Sequence, residues 1–331
     1  MHYRPIGIER IRSHVFYDAD HHTRRPREID VHRALFGSFI MDSGVLWALV
    51  AALGFGFTQM INRKANLLVD AFRTAFGMLI AVEAILVARL LITGDFALLA
   101  DAPLGSLAYF AGSAIIHYIG GWTLLALSQQ RIGVARTGAL VAATPIVGAL
   151  LAVPVLDESL SLLTFVGVAA TVGGVALISL SRPGDNKQWS NPWYALLVAF
   201  AWGVSPIFIR KGLEGLDEPL LGLTVGLAAA LIVHAAGLTL AGQWKRPPPP
   251  RSAYRWMMAG GVTGAIAISA QWVSFSHTTI AISITVQQLA TLVVIGLAPL
   301  VFDAKQERMT IALAVGTAAM IGGAVIVVAA G

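Results

Sequence analysis

Long apolar runs recur along this chain, and they constrain its fold more than any other feature. A helix needs about 20 mostly apolar residues to cross the hydrocarbon core of a bilayer. Ten such runs lie near residues 43–62, 71–92, 104–127, 134–153, 162–181, 192–209, 219–241, 254–275, 280–302 and 309–330. They are too long and too apolar for soluble strands, and they lack the even series of short alternating segments typical of an outer-membrane barrel. The sequence therefore predicts an all-α integral membrane protein with ten transmembrane helices.

Composition supports the membrane interpretation and excludes several kinds of site. The 331 residues are 56% hydrophobic and 12% charged, whereas soluble domains carry roughly 25% charged residues. There is no cysteine, so a disulfide framework and a thiolate metal site are excluded, and we predict no cofactor or metal. The net charge of +5 is spread singly or in pairs between the apolar runs, so we interpret it as membrane-flanking charge and predict no nucleic-acid partner.

The first 40 residues differ from the rest, being charged, rich in histidine and weakly patterned. They contain no apolar core followed by a small-residue cleavage site, so they are not a signal peptide. Two interpretations stay open. The tail is a disordered basic arm that binds lipid head groups or a partner, or it is not translated, because Met41 stands directly before the first run.

The chain repeats itself after about 147 residues. Segment 46–64 aligns with segment 193–211, and six positions match: Ala48, Leu49, Ala52, Gly56, Arg63 and Lys64 fall on Ala195, Leu196, Ala199, Gly203, Arg210 and Lys211. The glycine pairs of 167–178 and 316–327 also align, and Glu158 falls on Glu307. We therefore divide the chain into a tail (1–40), a first five-helix repeat (41–182), a linker (183–190) and a second five-helix repeat (191–331).

An odd number of helices in each repeat has a topological consequence. The second repeat must enter the membrane from the opposite side, so the two halves are inverted relative to each other. Inverted repeats are a common plan of secondary transporters, which bind solute between the halves near the midplane. The sequence therefore favours transport by alternating access, with duplication kept only for stability as the alternative. Because most connections are short, we expect helices that are neighbours in the chain to pack antiparallel.

Several local patterns resemble those of the EamA family in the drug/metabolite transporter superfamily. They are the first-span pattern ending at Lys64 and Lys211, the paired glycines of spans five and ten, and the fourth-span pattern ARTGALVAATPIVGALLAVPVLDESL (135–160). The second repeat departs from this pattern, since Val293 stands where the first has Pro145. We therefore expect the two halves to flex differently.

The resemblance covers residues 43–330 and implies a ten-helix bundle around a central cavity. Spans one, three, four, six, eight and nine are expected to line that cavity. The resemblance also implies export of small metabolites or drugs, often coupled to protons, without naming the solute.

Two ionisable residues lie in the middle of apolar runs, where charge is costly and function is the default hypothesis. They are Glu83 in the second run and His117 in the third. If these runs are antiparallel neighbours, a rise of 1.5 Å per residue puts the pair within about 4 Å of one depth. We therefore hypothesise a proton-coupling pair. The alternative is a protonated Glu83 bonded to a backbone or hydroxyl group.

Polar and aromatic residues inside the predicted spans are candidates for the substrate cavity. They are Gln59, Trp122, Arg136, Trp202, Gln271, Trp272, Gln287 and Gln288. Together they favour an uncharged, zwitterionic or amphipathic solute. For each tryptophan the alternative is packing or an interfacial position. For Arg136, as for Arg73, the alternative is a side chain that extends to the head groups.

Other residues have structural interpretations. Glu158 and Glu307 precede spans five and ten, where the helix dipole favours an acid. The pairs Arg63-Lys64 and Arg210-Lys211 anchor helix ends. The small residues Ala169, Ala170, Gly173 and Gly174, repeated as Ala318, Ala319, Gly322 and Gly323, are predicted to pack the halves together. A homodimer interface is the alternative, so a monomer and a homodimer both stay open.

Motifs exclude some competing functions. The chain has no His-Glu-x-x-His, no Gly-x-Ser-x-Gly and no paired-carboxylate motif, so we predict that it is not an enzyme. It also lacks the nucleotide-binding Gly-x-x-x-x-Gly-Lys-Ser/Thr, so an ion gradient or the gradient of the solute supplies the energy. The remaining alternatives are a lipid or lipid-sugar flippase and a non-transporting membrane scaffold or sensor.

The charge of the loops does not decide the orientation. The side of the tail carries ten basic residues with the tail and three without it, against eleven on the other side. The positive-inside rule then favours external termini only if the tail is left out. The resemblance implies cytoplasmic termini, in the inner membrane of a prokaryote, with lipids and a small solute as partners.

Overall fold

The computed structural model describes residues 43–132, 134–181, 191–301 and 311–330, which are helical apart from short turns. The tail, the linker 183–190 and Glu307 lie outside these ranges. The helices are α1 (Ser43–Asn66), α2 (Ala71–Thr93), α3 (Leu104–Ala114), α4 (Trp122–Ile132), α5 (Val134–Val141), α6 (Thr144–Leu156), α7 (Leu162–Ser181), α8 (Trp193–Leu213), α9 (Pro219–Leu240), α10 (Arg251–His277), α11 (Ile280–Gln287), α12 (Ala290–Val301) and α13 (Ile311–Ala330).

These helices correspond to the predicted spans. Nine stretches of the described chain are long and apolar enough to cross a membrane. Three of them combine two helices each: α3 with α4, α5 with α6, and α11 with α12. The predicted span 254–275 is the 27-residue α10, which is not among the nine because more of its residues are polar. The prediction of an all-α membrane protein built from two inverted five-helix repeats is confirmed.

Local chemistry fixes several helix ends. Asp70 caps α2 by accepting a hydrogen bond from the Arg73 N–H at 3.1 Å. Gly94, which has a φ of +79°, ends the same helix in the left-handed conformation that glycine adopts easily. The four prolines 247–250 lie outside any helix, and α10 begins directly after Pro250, whose backbone is extended.

The first two helices of each repeat pack on helices of the other repeat. Helix α1 packs mainly on α10 of the second repeat, and its counterpart α8 packs on α3 and α4 of the first. In the same way α2 packs on α10 and α9 packs on α3, while α7 and α13 pack on each other. One lobe therefore contains α1, α2, α10, α11 and α12, and the other contains α3 to α6, α8 and α9. The expected antiparallel packing of chain neighbours is wrong for α2 and α3, which make no extensive contact in the described chain.

Glycines let α7 and α13 approach closely. A Cβ at Gly174 would lie 2.5 Å from the Gly316 carbonyl oxygen and 2.6 Å from the Met320 nitrogen. A Cβ at Gly173, the preceding residue, would meet nothing within 4 Å, and Gly173 faces outward. The predicted packing by small residues therefore holds for Gly174 and its counterpart Gly323, and it is wrong for Gly173 and Gly322.

The bundle has two ends, which we call the near side and the far side. The near side is where α1 begins. The Ser274 hydroxyl, three residues before the end of α10, donates there to the Gly44 carbonyl at 2.8 Å. The far side is where α1 ends and α2 begins, and there Arg73 donates to the Pro247 carbonyl at 2.8 Å.

A large buried cluster closes the near side. It joins aromatic and aliphatic side chains of both lobes, among them Phe110, Ile209, Leu213, Trp272, Phe275, Ile280 and Ile284. The rings of Phe110 and Trp272, from opposite lobes, lie 5.7 Å apart. Burying this apolar surface holds the lobes together at this end. We call this cluster the near-side seal.

Candidate functional site

Two membrane spans are interrupted halfway, at related positions in the two repeats. The first interruption, at residues 142–143, separates α5 from α6, and the second, at 288–289, separates α11 from α12. Pro145 accounts for the first because it has no N–H to give Val141, and the Thr144 hydroxyl donates to that carbonyl instead at 2.7 Å. Interrupted helices facing each other near the midplane are typical of solute sites in transporters.

The second interruption forms without proline. The Gln288 N–H donates to the Thr285 carbonyl at 3.2 Å, and the Leu289 N–H donates to the Val286 carbonyl at 3.0 Å. These bonds close a tighter turn than that of an α-helix. The two spans are thus interrupted alike, although Val293 replaces Pro145 in the sequence. The Gln288 side chain also donates to the Ala142 carbonyl at 3.4 Å, which connects the two interruptions across the lobes.

A polar and aromatic cluster lies on α8 and the neighbouring segment of α3 and α4. Gly203, next to Trp202 on α8, packs on Val147 and Gly148, just after the first interruption. The cluster is centred on His117, in a π-helical segment, Ile115–Gly121, that joins α3 to α4. The His117 Nδ1 lies 2.8 Å from the Ser205 hydroxyl of α8, and the Trp202 indole donates to the His117 carbonyl at 3.1 Å. The His117 and Trp202 rings stack with centroids 5.6 Å apart and planes 22° apart. Segments of π-helix occur frequently at functional sites. We call His117, Trp202 and Ser205 the central cluster.

The sequence explains why these residues meet. Pro206 cannot donate a helix bond to the Trp202 carbonyl, and the Ser205 hydroxyl donates weakly to that carbonyl at 3.5 Å. On the opposite side, the Ser113 hydroxyl donates to the Ser205 carbonyl at 2.9 Å. Gly121 has no side chain, and a Cβ there would overlap the Trp202 indole. The two serines were missed at the sequence level, although a serine directly before a mid-span proline is a usable signal.

Three other predicted cavity residues lie on α4, α5 and α1. Trp122 begins α4, is half-buried and meets the Tyr118 ring edge-on, with centroids 5.7 Å apart. Arg136 is half-buried on α5, about 160° around the helix from Gly138, which contacts Ser179 of α7. Arg136 therefore faces away from α7. Gln59 is exposed on α1, one turn after the inward-packed Phe55.

The remaining predicted cavity residues are packed away from open space. Trp272 is 1% exposed and belongs to the near-side seal. Gln271 donates to Gln287 at 2.7 Å, and Gln287 donates to the Ser283 hydroxyl at 2.8 Å. This buried chain links α10 to α11 and satisfies amides that lipid cannot. All three residues are buried in this structure, and a cavity-lining role for them stays a prediction.

Glu83 and His117 do not meet. His117 bonds to Ser205 of its own lobe, and Glu83 belongs to the other lobe, where one of its carboxylate oxygens is buried without a hydrogen-bond partner in the described chain. Glu83 lies two turns after Phe76, which packs on His234 of α9 with ring centroids 5.3 Å apart. The direct contact in our hypothesis is therefore wrong, because α2 packs on α9 and α10 rather than on α3. A coupling role for either residue stays a prediction.

Glu158 caps a helix, but not the one expected. Its Oε1 accepts a hydrogen bond from the Ile280 N–H at 3.1 Å, so it caps α11 of the other repeat instead of α7. Burial raises the pKa of Glu158, while the bond to Ile280 and the positive charge of Arg210 act in the opposite direction. Arg210 itself donates to the Phe275 carbonyl at 2.7 Å. Both contacts join the lobes at the near side.

Comparisons with known proteins agree with this architecture. The model of the EamA-like transporter family matches the chain twice, over residues 42–180 and 190–329. One solved crystal structure is similar with a TM-score of 0.71, covering 86% of this chain and 96% of its own at 17% identity, which supports the fold alone. No curated protein matches the sequence. Since the two family matches together span most of the chain, this protein belongs to the EamA-like transporter family.

Proposed function

We propose that this transporter is a secondary-active exporter of small metabolites or drugs that works by alternating access. The observation that carries the proposal is the central cluster, whose helix α8 packs on α6 just after the first of the two facing helix interruptions. Its members come from α8 and from the segment between α3 and α4, and Gln288 comes from the opposite lobe. A solute bound between the central cluster and Gln288 would contact both lobes, so their relative motion would change its access from one side to the other.

The asymmetric packing supports access from the far side in this structure. The near-side seal buries side chains of both lobes. Toward the far side, α4 packs on α8 and α5 packs on α7 and α8, and neither makes extensive contact with α1 or α12 in the described chain. If the termini are cytoplasmic, as in our prediction, the far side is external. The structure then corresponds to the state from which an exporter releases its solute.

The lining favours a solute with an apolar part and a polar part. Trp122, Trp202 and His117 offer rings for stacking. Gln59, Gln288 and Arg136 offer donors that suit carbonyl, carboxylate or phosphate oxygens. We propose an uncharged, zwitterionic or amphipathic solute, with proton coupling through Glu83 or His117. The inner membrane of a prokaryote is the proposed location, and a monomer and a homodimer both fit the proposal.

Export can be tested on cells with a matched pair of tryptophan variants. Trp202→Ala removes the ring that stacks on His117, whereas Trp193→Ala changes a residue that is 69% exposed on the same helix. We expect a metabolite that accumulates outside cells expressing the wild type or Trp193→Ala, and about 10-fold less with Trp202→Ala, in line with lost stacking. Amounts of protein in the membrane must be equal.

The results of this assay test the export function and the location of the solute site separately. If the wild type changes the amount of no metabolite outside the cells, export is contradicted, and uptake or lipid flipping becomes the function to test. Equal export by the two tryptophan variants would leave export standing and remove the central cluster from the solute path. The Glu83→Gln variant in the same assay tests proton coupling, since it keeps the shape of the side chain and removes its ionisation.

A further inference from the structure

The near side carries a hydrogen bond that connects the lobes at a helix end. Glu158 follows directly after Asp157, whose φ of +54° ends α6 in a left-handed turn. That turn places the Glu158 Oε1 3.1 Å from the N–H of Ile280, the first residue of α11. The first N–H groups of a helix have no partner inside the helix, so this bond satisfies one of them from the other lobe.

The same helices touch closely above this bond. A Cβ at Gly148 of α6 would lie 2.9 Å from the Ile284 Cδ1 and 3.3 Å from the Ile280 Cγ2. Glycine therefore allows α6 and α11 to cross in contact, and Glu158 bonds where α11 begins. If the lobes move apart at the near side, the hydrogen bond of Glu158 to Ile280 breaks and the contact between α6 and α11 is lost at the same time.

A second contact between the lobes lies nearby. Arg210, near the end of α8, donates to the Phe275 carbonyl of α10 at 2.7 Å, and its positive charge acts on Glu158. Phe275 belongs to the near-side seal. The other oxygen of Glu158 is buried without a hydrogen-bond partner in the described chain. Glu158 is therefore held by a single acceptor bond, beside an arginine that also bridges the lobes.

We propose that Glu158 is a positioning residue of the transport cycle: by accepting the Ile280 N–H, it holds the near side closed. We call this bond the near-side latch. The inference rests on the alternating access proposed above. The latch must break for the near side to open, because Glu158 and Ile280 belong to different lobes. Glu158 acts on the position of α11 and does not contact the solute.

Thiol labelling can follow the two sides separately, because the natural chain has no cysteine. Ala152→Cys reports on the near side, since residue 152 is fully buried in the seal, and Gln59→Cys reports on the exposed far side. Each single-cysteine protein would be reacted with a maleimide in lipid nanodiscs, where both sides are accessible. The latch variants are Glu158→Ala and Glu158→Gln. Glu214→Ala is the control, because Glu214 is an exposed carboxylate on the same side.

We expect Glu158→Ala to raise the labelling rate at position 152 by about 10-fold, since a buried donor loses its acceptor. Labelling at position 59 should slow in the same protein, because the far side closes when the near side opens. Glu158→Gln retains an acceptor oxygen and should stay close to the wild type. Glu214→Ala should change neither rate.

Three results would overturn the latch. The first is no change at position 152 in Glu158→Ala. The second is faster labelling at both positions, which indicates general loosening, and the third is Glu158→Gln behaving like Glu158→Ala. Failure of the proposed function is seen separately. A wild type that exports no solute, combined with the expected labelling, would remove export and keep the latch.

Discussion

Polar side chains in the middle of apolar runs identify some residues of the candidate site, and also some residues that bond inside the protein. Polarity inside an apolar run singled out His117 and Trp202, and both lie in the central cluster. It equally singled out Gln271 and Gln287, which bond to each other in a buried position. A side chain that hydrocarbon cannot solvate must find a partner, and sequence does not distinguish a protein partner from a solute.

The near-side latch should depend on pH through Glu158. Burial gives Glu158 a pKa above its ordinary value of 4.5 in the closed state, whereas an opened near side exposes it to water. The state with the higher pKa binds protons better, so closure is favoured at low pH and lost as pH rises through the closed-state pKa. We therefore expect labelling at Ala152→Cys, as a ratio to the same protein carrying Glu158→Gln, to increase from pH 5 to pH 8.

The ratio to Glu158→Gln removes the effect of pH on the thiol reaction, because glutamine at position 158 does not titrate. The charged side chain that acts on Glu158 is Arg210. A ratio that stays constant from pH 5 to pH 8, or that decreases, would contradict the assignment to Glu158.

Whole helices were predicted better than their contacts. Run length and the alignment of the repeats were sufficient for the order of the spans, since both depend on composition along the chain. The partners were not predictable in this way, because α2 packs on α9 and α10 instead of α3. Exchange of helices between the repeats is a property of the folded bundle, and it explains why Glu83 and His117 lie apart.

Adjacent glycines on α7 provide a matched test of helix packing. A larger side chain at Gly174 meets the α13 backbone, whereas one at Gly173 meets nothing within 4 Å. We expect Gly174→Val to destabilise the protein by about 1–3 kcal/mol, the usual effect of overpacking, and Gly173→Val to have a small effect. The measurement is the thermal unfolding of the two variants in one detergent. Equal losses would argue against the close packing of α7 and α13.

Because the two repeats are inverted, a residue at one side of the membrane has a counterpart in the other repeat at the opposite side. In this structure Arg210 bridges the lobes at the near side by donating to the Phe275 carbonyl. The alignment puts Arg63 in the place of Arg210, at the far side, and the same offset of 147 puts Ser128 of α4 in the place of Phe275. Inverted repeats reach their second state by exchanging such positions. Arg63 is therefore expected to bridge the lobes through the end of α4 when the far side closes.

This symmetry predicts opposite effects of two equivalent substitutions. Arg210→Ala removes a near-side bridge, so labelling should become faster at Ala152→Cys and slower at Gln59→Cys. Arg63→Ala removes the expected far-side bridge, so labelling at position 152 should become slower than in the wild type. Lys211→Ala is the control, because Lys211 pairs with the exposed Glu214 at 2.7 Å and joins no two lobes. If both arginine variants shifted the rates in the same direction, the repeated Arg-Lys ends would anchor helices without exchanging roles between the two sides.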